Sequence, residues 1–209
     1  MSSKNDSRPL FTAAILAGGR ARRLGGVDKS ALVIGSASIL DRQLSLLRAL
    51  TPHILIVTSD PSRVERHARD QGQHIGVAID RVAGAGALGG IYTALMDAPT
   101  EQVIVMGCDM PFLTAPFLAF LAAQEADVDV AVPADERGRH PLCASYLRRT
   151  APHLRSCIDA GQLRVVDAIA ALAVRELGAD ELAPFNFDGR LLVNVNTPDD
   201  YARAHASGR

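Results

Sequence analysis

Phe11-Thr12-Ala13-Ala14-Ile15-Leu16-Ala17-Gly18-Gly19 is the segment from which the fold class can be predicted. The run from Phe11 to Ala17 is almost wholly apolar and has the length of a strand, which predicts a strand buried on both faces. It ends at two glycines, and a loop rich in glycine and arginine follows to about Ser30. The chain therefore opens with a buried strand that leads into a glycine loop.

The same alternation continues along the chain. Apolar runs predict further strands at residues 53–58, 77–79, 103–106, 128–132, 140–147 and 191–195. Helical spacing or capping signals predict helices at 39–50, 61–71, 91–96 and 150–171, with two more starting at Thr114 and Thr197. Strands that alternate with helices predict an α/β fold with a mostly parallel sheet. We expect a disordered lead-in at residues 1–9 and one domain at 10–209.

Composition limits the function classes. The 209 residues are 48% hydrophobic and 22% charged, with a net charge of −1, so no global field draws the protein to nucleic acid or to an anionic membrane. Cys108, Cys143 and Cys157 lack the spacing of a disulfide framework or a zinc site. There is neither a signal peptide nor an apolar run long enough to span a bilayer, which predicts a cytoplasmic protein.

The loop from Gly18 to Lys29 combines glycines with a local positive charge. Arginines at 20, 22 and 23 join Lys29, and Asp28 alone opposes them. Glycines let backbone amides form a nest for phosphate oxygens, so the loop predicts a triphosphate site at the carboxyl end of the first strand. It lacks the spacing of a Walker loop. The alternative is a solvated surface loop.

A second glycine motif runs from Gly84 to Gly89 and reads Gly-x-Gly-x-x-Gly, the dinucleotide-binding fingerprint of dehydrogenases. However, four residues separate Gly84 from the end of the preceding strand at Ile79. The first glycine of the fingerprint should follow its strand directly. We therefore interpret these glycines as a supporting loop or a helix start.

Two acids and two asparagines are candidates for chemistry. Asp109 follows an apolar strand and would face the basic loop, where one carboxylate and the substrate phosphates suffice for Mg²⁺. Asp80 also ends a strand. The alternative for both is a turn or capping role. Asn194 and Asn196 would lie on one side of a strand or act as turn residues, and His140 is more typical of a structural role.

These blocks resemble the molybdenum cofactor guanylyltransferases. Their pattern is Leu-Ala-Gly-Gly, a spacer and Arg-Met-Gly-Gly-x-Asp-Lys. The matching blocks here are Leu16–Gly19, Arg23–Lys29, Asp80, Gly86–Gly90, Cys108–Pro111, His140–Leu142 and Asn194–Asp200. The first block is shared by many nucleotidyltransferases, whereas the last, the asparagine block Asn194–Asp200, is typical of this family. The resemblance implies a Rossmann-like three-layer αβα sandwich with a mixed, mostly parallel sheet, like that of the nucleotide-diphospho-sugar transferases.

The resemblance also implies an activity. Family members transfer GMP from GTP to the terminal phosphate of Mo-molybdopterin, with Mg²⁺ as the cofactor. It implies that Leu16, Ala17, Gly18 and Gly19 hold the nucleotide. Lys29 would contact its phosphates, and Asp80 would touch the nucleotide. Asp109 would bind both GTP and Mg²⁺. Arg23 and Asn196 would act in catalysis or on the pterin. These roles are carried by the following residues: Leu16, Ala17, Gly18, Gly19, Arg23, Lys29, Asp80, Asp109 and Asn196.

The resemblance further implies a monomer, with transient contacts to molybdenum-insertion proteins, chaperones or apo-molybdoenzymes and with no nucleic-acid or membrane partner. The chain departs from the family pattern at Ala87, where proline is usual, and at Gly89, where alanine is usual. One of two adjacent family arginines is missing near Arg164. The alternatives are a CTP-dependent cytidylyltransferase, although Gly18 favours GTP, and another small-molecule nucleotidyltransferase.

Overall fold

A computed structural model of the chain describes residues 10–17, 20–21, 27–28, 31–64, 75–124 and 127–206. The predicted lead-in at 1–9 lies outside them. The strands are β1 Phe11–Leu16, β2 Arg20–Ala21, β3 Val27–Asp28, β4 Val33–Ile34, β5 Ala37–Ser38, β6 His53–Thr58, β7 Ile75–Ile79, β8 Gln102–Gly107, β9 Val130–Asp135, β10 Gly138–Arg139, β11 Cys143–Leu147 and β12 Val174–Leu177. The α-helices are α1 Ile39–Arg48, α2 Gly86–Asp97, α3 Ala115–Ala122, α4 Ala151–Asp159, α5 Val165–Ile169, α6 Ala179–Leu182 and α7 Pro198–Ala206. Short 3-10 helices span Pro61–Arg63, Arg148–Thr150 and Ala183–Phe185.

The main sheet is mixed, as predicted. Its order is β10-β9-β11-β8-β1-β6-β7, and β12 pairs with β9 outside this path. β1 pairs in parallel with β6 and β8, and β6 pairs in parallel with β7. β11 is antiparallel to both β8 and β9, so β9 points in the same direction as β8. β12 is parallel to β9. The carboxyl ends of these strands, except β11 and β10, therefore meet at one edge.

Helices cover both faces of this sheet. Along β1, Ile15 packs into the cluster that contains residues of α1 and α3, whereas Leu16 packs into the cluster of α2, α4 and α5. Alternate residues of a strand point to opposite faces, so a run that is apolar throughout requires a layer of helices on each side. The result is the three-layer αβα sandwich that the resemblance implied.

Capping residues set where the helices begin, as the sequence predicted. Thr114 accepts a hydrogen bond from the backbone amide of Phe117 (3.4 Å) and starts α3. At α7, Thr197 Oγ1 accepts from the backbone amide of Asp200 (3.1 Å), while the Asp200 carboxylate accepts from that of Thr197 (2.9 Å). These reciprocal bonds satisfy amides that have no partner inside the helix.

Several predicted boundaries were wrong. The helix predicted at 91–96 begins at Gly86, and the strand predicted at 128–132 lies at Val130–Asp135. The predicted helix at 150–171 is broken in two, because Gly161 has a positive φ of 73° that a helix does not accommodate. Of the helix predicted at 61–71, the structure describes a 3-10 turn at Pro61–Arg63; residues 65–74 lie outside the described part, so the rest of that helix stays a prediction.

The predicted strand at 191–195 is also wrong. The backbone amide of Val193 bonds the carbonyl of Arg190 (3.0 Å), and that of Leu191 bonds Asn186 Oδ1 (3.0 Å). These local turn bonds occupy the amides that a strand would offer to a neighbour. Within the described residues, no helix is both long enough and apolar enough to cross a membrane.

Candidate nucleotide site

Three of the predicted site residues, Ala17, Asp80 and Asp109, lie at the edge formed by the carboxyl ends of the parallel strands. Ala17 leaves β1 with its amide bonded to the carbonyl of Val57 on β6 (2.8 Å). Asp80 leaves β7 with its amide bonded to the carbonyl of Thr58 (3.1 Å). Asp109 follows β8 on the other side of β1. Ligands of open α/β sheets bind at this edge, so these residues face the same space.

The orientation of Asp109 depends on a glycine that sequence reasoning missed. A Cβ atom on Gly107 would lie 2.7 Å from Asp109 Oδ1, closer than real Cβ contacts come. The carboxylate of Asp109 therefore lies back against the end of β8, in space that only glycine leaves open. The amide of Cys108 bonds the carbonyl of Leu16 (3.2 Å), which ties this turn to β1.

A buried glutamine braces the same turn. Gln43 is 1% exposed, and its Nε2 donates to the carbonyls of Gly107 (2.8 Å) and Met110 (3.2 Å). It lies on α1 among the leucines that face the core. A polar residue on the apolar face of an amphipathic helix is the signal in the sequence that could have revealed this role. Gln43 fixes the backbone on both sides of Asp109.

The asparagine block lies directly beside Asp109. The amide of Val195 donates to the carbonyl of Asp109 (2.8 Å), across 86 residues of chain. The amide of Asn196 bonds the Asp200 carboxylate (3.0 Å). Partial burial raises the pKa of Asp200, but these backbone amide bonds outweigh it and hold the pKa below its usual value. Asn194 Oδ1 is buried and has no hydrogen-bond partner in the described part of the chain, which suits an atom that awaits a donor.

Part of the predicted site lies outside the described residues. This applies to Gly18, Gly19, Arg23 and Lys29. Within the same loop, β2 and β3 form an antiparallel pair, with Arg20 opposite Asp28. The chain therefore leaves β1 and returns on itself before α1.

The glycines near residue 84 form a turn and the first residues of α2. Gly84 and Gly86 have φ values of 82° and 59°, and Gly86 is the first residue of α2. A Cβ on Gly89 would lie 2.8 Å from that of Ala85, so the helix start packs closely on the preceding turn. These glycines therefore make a helix start, as we interpreted them.

Asp80 begins the turn that leads to α2. Burial raises the pKa of Asp80. The next residue, Arg81, fixes the turn, because its amide bonds Thr93 Oγ1 (3.0 Å) and its guanidinium forms an ion pair with Asp97. Asp80 is thus a partly buried acid on a turn that is held in place.

The donors at this edge fit Mg²⁺. Asp109 offers one partly buried carboxylate, and an ion that arrives with phosphates and water requires only one or two from the protein. Among the described residues, no cluster of three or more His, Cys, Asp or Glu side chains could hold a metal by itself. A single protein carboxylate at this edge suits an ion that shares its ligands with a nucleotide.

A cavity of about 440 Å³ that the sequence did not predict lies further along the edge. Asp135 and Arg137 line it, and Arg137 donates to Asp135 Oδ2 from Nη2 (2.7 Å). His140 Nε2 lies 2.9 Å from Asp135 Oδ1, so this histidine has the structural contact that its position suggested. Phe187, 91% exposed, lies at the same cavity.

A mixed, mostly parallel sheet with a binding edge at the carboxyl ends of its parallel strands is typical of nucleotide-binding α/β proteins. The model of the MobA-like NTP transferase domain matches residues 13–176, more than three quarters of the chain. The chain belongs to this family.

Relatives and a solved structure with names from this family are similar to the chain over nearly its whole length. The chain is 34% identical over 207 residues to a molybdenum cofactor guanylyltransferase of Mesorhizobium japonicum, covering 91% of this chain and 92% of that protein. It is 32% identical to a probable molybdenum cofactor guanylyltransferase of Chloroflexus aggregans, covering 91% of each. Among solved structures, molybdopterin-guanine dinucleotide biosynthesis protein A of Archaeoglobus fulgidus is similar, with a TM-score of 0.80 and 25% identity over 94% of this chain and 97% of that one.

Proposed function

We propose that this protein transfers GMP from GTP to the terminal phosphate of Mo-molybdopterin, forming molybdopterin guanine dinucleotide and pyrophosphate. The observation that carries the proposal is the likeness to relatives named molybdenum cofactor guanylyltransferase across nearly the whole chain. The contact between Val195 and Asp109 supports it, because the asparagine block then adjoins the candidate metal ligand. An acceptor and a nucleotide would meet there.

The nucleotide would lie over β1 and β7. The backbone of Leu16, Ala17, Gly18 and Gly19 would hold it, and Asp80 would touch the nucleoside. Lys29 would contact its phosphates. Phosphoryl transfer requires mainly positioning and charge stabilisation, which amides and a lysine supply.

The reaction would take place at Asp109. An oxygen of the acceptor's terminal phosphate forms a bond to the α-phosphorus of GTP, and the bond from that phosphorus to pyrophosphate breaks. Mg²⁺ bound with the nucleotide would offset the charge that develops on the phosphates. Asp109 would orient the ion and the α-phosphate, while Arg23 and Asn196 would position the acceptor's phosphate.

The setting follows from the same proposal. We infer that residues 10–209 act as one nucleotidyltransferase domain and that the protein is a cytoplasmic monomer without nucleic-acid or membrane partners. Transient contacts with molybdenum-insertion proteins, chaperones or apo-molybdoenzymes would deliver and collect the cofactor. Light scattering that gives twice the mass of the chain would contradict the monomer.

Thermal unfolding with GTP, CTP, ATP or NADH, each with and without Mg²⁺, tests the nucleotide. A ligand at about 100 times its dissociation constant adds about 2.7 kcal/mol to the free energy of unfolding. In a chain of this size, that corresponds to about 5–10 °C in Tm. We expect the largest shift with GTP and Mg²⁺ together. A larger shift with CTP would indicate a cytidylyltransferase, and a shift with NADH alone would refute the proposal.

The variant Asp109→Asn tests the metal ligand. It should abolish Mg²⁺-dependent turnover and leave Tm without ligand nearly unchanged. Asp127→Asn is the matched control, because Asp127 is exposed and precedes β9 at the opposite edge of the sheet. Full activity in Asp109→Asn would remove Asp109 from the site.

A further inference from the structure

The cavity beyond β8 has the size and lining of a small-molecule site. Its volume of about 440 Å³ lies in the range of ligand pockets, about 300–1,000 Å³. The hairpin of β9 and β10 contributes Asp135 and Arg137, while the segment after β12 contributes Leu182, Ala183 and Phe187. Polar and apolar groups share the lining about equally, which suits an organic ligand that carries both a flat ring and polar edge atoms.

The sheet order places this cavity and the proposed nucleotide site on opposite sides of β8. Leu16 ends β1 and Asp80 follows β7, in the half of the sheet formed by β1, β6 and β7, and Asp109 follows β8 beside it. The cavity lies at the end of β9, which is two strands beyond β8 in the other direction. Because β9 and β8 point the same way, both ends open at one edge. A molecule that meets the α-phosphate of the nucleotide at Asp109 would extend from there over β9.

The chain itself links the two places. The segment that lines the cavity at Gly189 and Leu192 continues within a few residues to Asn194 and Val195, which bonds Asp109. The segment that lines the cavity is therefore anchored, a few residues later, at the candidate reaction centre.

The polar groups of the cavity are held in position before any ligand binds. Asp135 accepts from the amide of Arg137 (2.9 Å) and from its guanidinium at Nε (3.1 Å), which leaves further N–H donors of Arg137 for a ligand. Asn186 Oδ1 accepts from the amide of Leu191 (3.0 Å). Its Nδ2 has no hydrogen-bond partner among the described residues, so the amide group is oriented with a donor to spare.

One aromatic ring is left in solvent beside these groups. Phe185 packs on Phe117 and on Phe120, with ring centroids 5.8 Å and 5.0 Å apart. Phe187, two residues further on, is 91% exposed. An aromatic ring at the mouth of a cavity offers a face on which a flat ring can stack.

We propose that this cavity is the subsite for the fused pterin ring of the acceptor, with Phe187 stacked on the ring and Arg137 and Asn186 bonded to its polar edge. The proposal rests on the proposed function, which supplies a flat, polar heterocycle as the acceptor's distal end. Pterin and guanine share a 2-amino-4-oxopyrimidine ring, so the test must separate the two ligands.

The experiment uses the full chain and 6-hydroxymethylpterin, whose own fluorescence reports its binding. Phe187→Ala removes the stacking face, and Ala183→Trp fills the cavity from an exposed position. Each should weaken pterin binding about tenfold or more. Leu10→Ala is the matched control, since Leu10 is 64% exposed at the opposite edge of the sheet and its loss should leave pterin binding unchanged.

Binding of GTP with Mg²⁺ is measured on the same variants by thermal shift. An unchanged GTP shift in Phe187→Ala and Ala183→Trp, together with lost pterin binding, supports the subsite. It also shows that both variants fold. Wild-type protein that does not bind the pterin, equal pterin binding in all variants, or displacement of the pterin by GTP would each overturn it. Absence of any GTP shift in the wild type would instead refute the proposed function.

Discussion

Gly107→Ala tests whether the space beside Asp109 sets the activity. The new Cβ would lie 2.7 Å from Oδ1 of Asp109, whereas ordinary contact begins at 3.4 Å. The carboxylate must therefore move by about 0.7 Å, the difference between these two distances. A misplacement of about 1 Å at a reaction centre costs on the order of 100-fold in rate. We expect kcat to fall about 10- to 100-fold.

Stability should hardly change in the same variant. Replacing glycine by alanine where φ is not positive stabilises by about 0.4–1 kcal/mol through the unfolded chain. Rotation of the carboxylate away from its preferred angle costs about 0.5–1.5 kcal/mol. The two nearly cancel, so Tm should stay within about 4 °C of the wild type. Pyrophosphate release measures the activity, and calorimetry measures Tm.

A double-mutant cycle isolates the cause. If the added methyl acts through the Asp109 carboxylate, then in an Asp109→Ala background, where no carboxylate opposes the methyl, Gly107→Ala should raise the free energy of unfolding by about 0.4–1 kcal/mol. Gly178→Ala is the matched control, because a Cβ there meets nothing within 4 Å and φ is −83°. Full activity in Gly107→Ala, or the same effect of Gly107→Ala on stability in the wild-type and Asp109→Ala backgrounds, would show that the methyl does not act through Asp109.

Two further predictions concern the bonds that hold this edge. Gln43→Leu removes the buried donor to the carbonyl of Gly107 and should lower the free energy of unfolding by about 1–3 kcal/mol in urea, whereas exposed Gln162→Ala should leave it unchanged. Equal stability of the two variants would show that the hydrogen bond from Gln43 to Gly107 does not stabilise the fold. Burial raises the pKa of Asp135, but the hydrogen bonds from Arg137 and His140 outweigh this effect and lower the pKa to about 2. A carboxylate whose pKa is lowered on folding stabilises the folded state above its ordinary pKa of 3.8, and this stabilisation is lost as the pH falls toward 2. Asp135→Asn should therefore lower the free energy of unfolding by no more than about 2 kcal/mol, and this difference should shrink between about pH 5 and pH 2. A pH-independent difference would exclude this carboxylate as the cause.

The residue pattern was sufficient to predict the parallel part of the main sheet and the edge that carries the candidate site. The apolar run at β1 requires helices on both faces, and an acid that follows a parallel strand must lie at the carboxyl edge, so the positions of Asp80 and Asp109 at that edge could be predicted. Capping at Thr114 and Thr197 is likewise local, because the cap bonds only residues of its own first turn.

The contacts around Asp109 are visible only in the tertiary structure. Val195 bonds its carbonyl from 86 residues away, Gln43 braces its turn from α1, and Gly107 leaves room for its carboxylate. Each contact joins segments far apart in the chain or depends on atom positions, and residue periodicity carries neither kind of information. For the same reason, the cavity at Phe187 could not be predicted, since its walls come from β9 and from the segment after β12 and meet only when both strands join the sheet.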